Sequence, residues 1–193
     1  YLNIFESYPM ILKEMQKQGY NTGNYSGSQD EEFKKLIKQR GRNIGKYAPG
    51  ELQKLVNSGG ATLVPLSTYK NWFSQLEKEY QFQVTNHWGQ PDKANIMTIQ
   101  KNGELHFVLP TISYGNIKFM PQADRARTQD LAALYHSQTL PPHHQYICQY
   151  LWFQNNMDAI VHTGTHGTHE WLDGKESGLS DTDSPEVLAG DLP

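Results

Sequence analysis

The stretch IMTIQKNGELHFVL, residues 96–109, predicts a β-hairpin. Asn102 and Gly103 would form its two-residue turn, because both residue types tolerate the positive φ angles that such a turn requires. The apolar runs on either side have the length and composition of paired strands. Another strand is predicted over 112–120, with a break at the YGN sequence in its middle. The centre of the chain is therefore expected to supply the strands of the fold.

Helical periodicity dominates the sequence before this hairpin. Apolar residues recur at helical spacing from 2 to 15, and Gly19 is placed to end that helix. Pro9 lies inside the pattern and predicts either a kink or a helix that begins there. An Asn-, Gly- and Ser-rich loop follows at 21–30. Three further helices are predicted, over 31–39, from 49–50 to 59–60, and over 68–79 with Thr68 as N-cap.

The sequence after the hairpin predicts two more helices and one short strand. The helices span 123–134 and 144–157, separated by a loop at Pro141–Pro142. The segment AIVH, 159–162, is predicted to be a short buried strand. The expected fold class is α/β, with a mixed sheet flanked by helices. A mostly helical part would cover 1–85, and an α/β part carrying the functional site would cover 86–193.

Composition narrows the class of protein. The net charge is −3 with acids and bases mixed along the chain, so no basic patch indicates nucleic-acid binding. A single cysteine, Cys148, excludes an internal disulfide and fits a cytoplasmic protein. No apolar run is long enough for a transmembrane helix, and no signal peptide is recognisable. Because the chain starts at Tyr1 without an initiator methionine, we expect residues 1–193 to be an internal fragment of a larger protein.

Histidines cluster in the second half of the chain. Six of the eight lie between positions 136 and 169, and the stretch VHTGTHGTHEWLDGK, 161–175, holds three of them. A helix beginning near Thr165 would place His166 and Glu170 on one face, at i and i+4. His162, at the end of the predicted strand, would project toward the same opening. The stretch is compatible with a metal site, an acid–base site, a phosphate cradle or ordinary surface polarity, with His136 and His143 as further lining residues.

Several standard motifs are absent from this stretch. The chain has neither the H-E-x-x-H pattern of zinc proteases nor a C-x-x-C pair. A P-loop is excluded because six residues separate Gly167 from Gly174 and Glu176 follows Lys175. The glycines still allow the backbone to approach a flat or anionic ligand closely.

Ordered motifs along nearly the whole chain resemble one family. The longest is HTGTHGTHEWLDGKESGLS, residues 162–180, in which Asp173 stands where proline is usual and His169 where an apolar residue is common. Together the motifs resemble the CobN cobaltochelatase and magnesium-chelatase H-subunit family, the large porphyrin-binding subunits of class I metal chelatases. The two departures suggest a divergent paralogue. The other motifs are YLNIFESYPMILKEMQKQGYNT (1–22), NHWGQP (86–91), YGNIKFMPQ (114–122), SQTLPPHHQYICQYLWF (137–153, preceded by the YHS of 135–137) and SPEVLAGDLP (184–193).

The resemblance implies a site and a reaction. Glu170 would be the principal base or metal ligand, with His162 and His166 as ligands or proton carriers in inserting cobalt or magnesium, with iron as a further option, into a tetrapyrrole. ATP would act only through separate AAA+ ATPase subunits, and the rest of the same large subunit would complete the enzyme, so the isolated fragment is expected to be inactive. Six residues would bind the tetrapyrrole: Tyr114, Asn116, His136, His143, Trp171 and Lys175.

Two other functions remain open at this point. A homologue in haem uptake would bind haem or another tetrapyrrole, or remove its metal, without catalysing insertion. A zinc metallohydrolase would use the same His162, His166 and Glu170 around a resident ion.

Overall fold

The computed structural model describes residues 3–40, 49–125, 139–164, 172–175 and 178–193. Helices and antiparallel strands alternate along these ranges, and a single 3₁₀ turn covers Pro91–Lys93. The helices are α1 (Ile4–Lys17), α2 (Asp30–Arg40), α3 (Pro49–Asn57), α4 (Leu66–Phe73), α5 (Lys78–Trp88), α6 (His144–Asn156) and α7 (Ser184–Ala189). The strands are β1 (Ala61–Pro65), β2 (Thr98–Lys101), β3 (Glu104–Pro110), β4 (Ile112–Tyr114) and β5 (Ile117–Phe119).

The predicted hairpin is confirmed as β2 and β3. Its turn residues Asn102 and Gly103 have φ angles of 53° and 80°, in the left-handed region that a tight hairpin turn uses. Strand β1 pairs antiparallel with the other edge of β3, with Val64 opposite Phe107, which gives the sheet order β1-β3-β2. Strand β3 is therefore the central strand, and Phe107, Val108 and Leu109 on it are fully buried.

The strand predicted over 112–120 is two strands in the structure, β4 and β5, which pair antiparallel and turn at the predicted break, the YGN sequence. They form a separate two-stranded sheet that packs against α2. Leu12 of α1 and Phe33 of α2 bury their side chains in the same hydrophobic cluster as Ile112 of β4. The N-terminal helices and this hairpin thus share one core.

The N-terminal helices follow the sequence prediction closely. Helix α1 runs through Pro9, whose side chain is buried, and ends just before Gly19 at φ +88°. Because Pro9 lies near the start of the helix, it removes one amide donor without interrupting the later turns. Helices α2 and α3 are confirmed at their predicted positions.

The prediction of one helix over 68–79 was wrong. The structure has strand β1 leading directly into α4, then a break at 74–77, then α5. Pro65, not Thr68, occupies the N-cap of α4. A five-residue strand gives too short a pattern to be recognised alone, and its conformation depends on pairing with β3, which is distant in sequence.

The predicted strand at 159–162 is also wrong. These residues lie outside any strand, and the side chain of Val161 is 82% exposed. Ile160 hydrogen-bonds through its amide to the carbonyl of Pro193 at 3.0 Å. A short apolar run does not distinguish a strand from an extended connector that pairs with the end of the chain. Most of the helix predicted at 123–134 lies outside the described residues, and 123–125 are not helical.

The largest core lies between α4, α5, α6 and the central strand. Helix α6 buries every residue from His144 to Leu151, and Tyr69, Tyr80 and Phe107 pack against it. The predicted α/β class with a mostly helical N-terminal part is confirmed, although both sheets are antiparallel and β1 joins the sheet of the later strands. Among the helices of the described ranges, none has the length and apolarity needed to cross a membrane.

Candidate functional site

Residues 160–163 form a connector that overlaps the start of the histidine-rich stretch. This connector is hydrogen-bonded to three other parts of the molecule. Ile160 binds the C-terminal carbonyl, as described above. The Nε2 atom of His162 lies 3.4 Å from the hydroxyl of Tyr150 on α6. The Oγ1 atom of Thr163 lies 3.1 Å from the hydroxyl of Tyr8 on α1. The entrance to the stretch is therefore held by tertiary contacts and not by a sheet.

Sequence reasoning did not identify Tyr150, the partner of His162. It is 1% exposed, and its hydroxyl donates a hydrogen bond of 2.9 Å to Oε1 of Gln122. Its ring stacks on that of Tyr146 at 5.2 Å with an angle of 18° between the planes. Burial raises the pKa of the Tyr150 phenol above its usual value, so the group stays protonated and acts through hydrogen bonding.

His162 combines accessibility with a neutral imidazole. The side chain is exposed, yet desolvation by the surrounding atoms lowers the pKa of its imidazole. A lowered pKa leaves the ring neutral at pH 7, and only the neutral ring can accept a proton or bind a metal. His162 therefore has the protonation state that both predicted roles require.

His143, the residue before α6, and His144, the first residue of α6, are buried. His143 caps the helix, since its Nδ1 accepts a hydrogen bond from the amide of Tyr146 at 3.3 Å. Desolvation lowers the pKa of His143 to about 4. His144 uses both ring nitrogens, with Nδ1 2.8 Å from the Tyr69 hydroxyl and Nε2 2.9 Å from the carbonyl of Gly89. His144 thus joins α6 to α4 and to the residue after α5, whereas His143 caps α6 itself.

Tyr114 and Asn116 lie at the turn of the β4–β5 hairpin. The ring of Tyr114 is half-buried and packs at 5.3 Å against Tyr25 and at 5.0 Å against Phe33. Asn116 is exposed, and its amide donates to the carbonyl of Asn21 at 2.8 Å. The turn is thereby attached to the loop after α1.

The backbone at Lys175 is hydrogen-bonded to Asp183, the N-cap residue of α7. The side chain of Lys175 is exposed, while its amide donates to Oδ1 of Asp183 at 3.3 Å. The other oxygen of Asp183 accepts from the amide of Ser180 at 2.7 Å. These two bonds fix the chain on the C-terminal side of the histidine-rich stretch and hold Lys175 at the surface.

Asp173, Arg125 and Ser184 form a buried polar cluster next to Lys175. The sequence analysis did not predict that these residues come together. Asp173 is 6% exposed and Arg125 is 2% exposed. Burial raises the pKa of Asp173, which a hydrogen bond from Ser184 and the charge of Arg125 oppose. Ser184 also lies 3.1 Å from the hydroxyl of Tyr80. The one signal in the sequence was that Asp173 replaces a proline usual in the resembling family.

The remaining predicted site residues lie outside the described residues. The convergence of His162 with His166 and Glu170 therefore stays a prediction. In the ranges that the structure describes, no three His, Cys, Asp or Glu side chains come together as a metal site. The predicted site residues outside the described ranges are His136, His166, Glu170 and Trp171.

Comparison with known proteins identifies a family that matches the whole chain. A family profile described as CobN/Magnesium Chelatase matches residues 1–193. The aerobic cobaltochelatase subunit CobN of Sinorhizobium sp is 29% identical over 95% of this chain and 13% of its own length. The magnesium-chelatase subunit ChlH of Oryza sativa subsp. indica is 25% identical over 100% of this chain and 13% of its own length. An uncharacterised protein of Methanocaldococcus jannaschii is 30% identical over 100% of this chain and 16% of its own length.

A solved structure supports the same relationship. The catalytic subunit of cobaltochelatase from Mycobacterium tuberculosis superimposes with a TM-score of 0.73 and 28% identity. The match covers 98% of this chain and 16% of that structure. The chain therefore spans 13% to 16% of the length of these relatives.

Proposed function

Because the chain belongs to the CobN/magnesium chelatase family, we propose that it is the part of a large chelatase subunit that binds a tetrapyrrole and carries the site for inserting a divalent metal. Cobaltochelatase and magnesium-chelatase subunits among its relatives support cobalt or magnesium as the metal substrate. The observation that carries the proposal is the neutral, exposed imidazole of His162, fixed at the entrance to the stretch that the family profile includes.

The chemistry of insertion suits the predicted residues. Two protons must leave the pyrrole nitrogens, and a hydrated divalent ion must lose water. Neutral imidazoles and a carboxylate serve both needs, since they accept protons and bind divalent metals. We assign Glu170 as the principal base or metal ligand, and His162 and His166 as ligands or proton carriers.

The tetrapyrrole would contact residues around this stretch. Lys175 is exposed and its backbone is anchored, which suits an ion pair with a carboxylate of the ring. His136 and Trp171 complete the assignment on sequence grounds, and Asn116 is accessible at its hairpin turn. Tyr114 and His143 pack inside the fold, so we assign them to shaping the site from beneath.

ATP hydrolysis would be supplied from outside this chain. The sequence contains no phosphate-binding loop, and chelatases of this family are expected to act with AAA+ ATPase subunits. We propose that those subunits and the rest of the same large subunit complete the enzyme, in the cytoplasm. The single, buried and unbridged Cys148 is compatible with that reducing compartment.

Replacement of Glu170 tests the proposal. In the full-length subunit with its ATPase partners, Glu170→Gln should lower the rate of Co²⁺ or Mg²⁺ insertion into a water-soluble porphyrin by about a hundredfold or more, because general acid–base groups contribute that much. Porphyrin affinity, measured by absorbance titration, should change less than about twofold. The exposed Glu186→Gln on α7 is the matched control and should leave both quantities unchanged.

Three outcomes separate the alternatives. An unchanged insertion rate with normal porphyrin binding would contradict the role of Glu170. Binding without insertion by the unaltered protein would favour the haem-handling alternative. Stoichiometric zinc in the purified protein, with hydrolysis that needs no ATP, would favour the metallohydrolase.

A further inference from the structure

Lys175 is the only lysine or arginine between positions 128 and 193, whereas aspartate and glutamate recur throughout that range. The side chain of Lys175 is exposed. Among the described residues, its ammonium group forms no ion pair. An anionic ligand bound along this part of the chain would therefore meet one permanent positive charge, that of Lys175.

Asp183 is the N-cap residue of α7, yet its side chain forms no capping hydrogen bond. The carboxylate instead accepts hydrogen bonds from the segment before the helix. Its Oδ1 accepts from the amide of Lys175 at 3.3 Å. Its Oδ2 accepts from the amide of Ser180 at 2.7 Å and from the Ser180 hydroxyl at 3.0 Å. Since an aspartate at an N-cap usually bonds to its own helix, these contacts point to a role of Asp183 in the preceding segment.

The backbone of Gly174 packs directly against this carboxylate. Gly174 has a φ angle of 125°, and a Cβ atom there would lie 2.7 Å from Oδ1 and 2.8 Å from Cβ of Asp183. Asp183 is 8% exposed. Hydrogen bonding from Ser180, above all from its amide, holds the pKa of the Asp183 carboxyl below its usual range, so the group is ionised at neutral pH. An enclosed, ionised carboxylate thus fixes the backbone from which the Lys175 side chain starts.

The same arrangement leaves the ammonium group of Lys175 exposed to a ligand. Both oxygens of Asp183 accept from backbone and hydroxyl donors, and Asp183 forms no ion pair with Lys175. Fixing the backbone in advance lowers the entropic cost of placing the ammonium group against an external anion. Tetrapyrroles carry such anions as carboxylate side chains.

We infer that Asp183 is a positioning residue that holds the backbone at Lys175, and that Lys175 binds a carboxylate side chain of the tetrapyrrole, so that the chain selects carboxylated rings over their amides. The inference rests on the proposed function. It adds the group of the substrate that is recognised and the residue that positions the recognising side chain.

The test compares two ligands of the full-length subunit by absorbance titration: a porphyrin with two propionate side chains, and the same porphyrin with both propionates converted to amides. Lys175→Met should weaken binding of the dicarboxylate by about two- to fivefold, as for an exposed ion pair, and leave binding of the diamide unchanged. Asp183→Asn should give the same selective loss, because an amide nitrogen in place of one carboxylate oxygen would face an N–H donor.

Electrostatics alone predicts the opposite sign for Asp183→Asn. Removing a negative charge near Lys175 would strengthen binding of an anion, whereas loss of positioning weakens it. Adding Asp183→Asn to Lys175→Met should cause no further loss, because Asp183 acts through Lys175. Asp191→Asn removes an exposed charge from the same C-terminal segment. It is the matched control and should weaken binding of neither porphyrin.

A second variant covers the case in which Asp183→Asn does not fold. Ser180→Ala removes only the hydroxyl bond to the Asp183 carboxylate. It should give a smaller loss in the same direction, again confined to the dicarboxylate.

The possible failures are distinguishable. If the unaltered subunit binds neither porphyrin, the proposed function is wrong and the inference falls with it. If it binds both but Lys175→Met weakens neither or weakens both equally, the inference alone is wrong. An Asp183→Asn variant that behaves like Asp191→Asn, or that loses both ligands equally, would show that Asp183 does not position Lys175, which also overturns the inference.

Discussion

His143, His144 and His162 show how differently one residue type is used around α6. His143 and His144 are 2% exposed and serve as helix cap and helix linker. His162 is exposed and is contacted through one nitrogen by a buried phenol. Burial and hydrogen bonding, not position in a motif, separate the two structural imidazoles from the candidate ligand.

The buried His143 should make stability depend on pH. Its pKa is about 4 in the folded protein against about 6.5 when unfolded, so the unfolded state binds more protons between these values. Protonation of His143 therefore does not affect the free energy of unfolding above about pH 6.5. As the pH falls toward 4, it lowers that free energy by about 3 kcal/mol in all. Urea unfolding across this range measures the loss.

His143→Asn supplies the comparison for that experiment. Asparagine is a good N-cap and does not titrate, so the variant should lose less stability than the original protein between pH 6.5 and 4. All other titrating groups are shared, and their effects cancel in the difference. Parallel stability curves for the two proteins would contradict a neutral, buried His143.

At the scale of elements, the backbone of the β4–β5 turn lies in close contact with the backbone of the loop after α1. Gly115 and Gly23 both have positive φ angles, of 55° and 56°. A Cβ atom on Gly115 would overlap the carbonyl of Asn21 and lie 2.5 Å from the amide nitrogen of Gly23. The YGN motif therefore needs glycine at position 115, because a side chain there would clash with the loop after α1.

Gly115→Ala should destabilise the fold by about 2–4 kcal/mol, because it adds a backbone clash to the cost of a left-handed alanine. Gly103→Ala is the matched control, since Gly103 also has a positive φ of 80° but has open space around its Cβ position. It should cost only about 1 kcal/mol. Chemical denaturation measures both, and equal losses would show that the contact with Asn21 contributes nothing.

At the scale of the whole molecule, the central strand β3 contributes to two hydrophobic clusters. Phe107 and Leu109 lie in the largest cluster, and Val108 lies in a second one with Leu52 and Leu55 of α3. Cys148 lies in the largest cluster with no exposed surface, and burial raises the pKa of its thiol. A thiol reagent can reach it only when α6 separates from the core. Its reactivity therefore reports on opening of the main core.

Labelling of Cys148 with a chromogenic disulfide should be at least about a thousandfold slower in the native 193-residue chain than in urea. This corresponds to an opening free energy above about 4 kcal/mol, within the usual range for a folded domain. Cys148→Ala, which should not react, gives the background. Native labelling within about tenfold of the rate in urea would show that the core opens without global unfolding.

The sequence determined those features whose physical causes are local. Turn chemistry at Asn102 and Gly103 located the central hairpin, helical periodicity located α1, aromatic and apolar composition located α6, and the ordered motifs identified the family. Each depends on residues close together in the chain, so their pattern is visible without a structure. The assignment of His166 and Glu170 to a metal site rests on the same local evidence and stays a prediction.

Only the tertiary structure decided the features that depend on distant partners. β1 is a strand because β3 lies beside it, and 160–163 is a connector because α1, α6 and the C-terminus hold it. The burial of Asp173 beside Arg125 has the same origin. Hydrogen bonding and desolvation depend on which atoms meet in space, and a linear pattern carries no information on which distant segments will supply them.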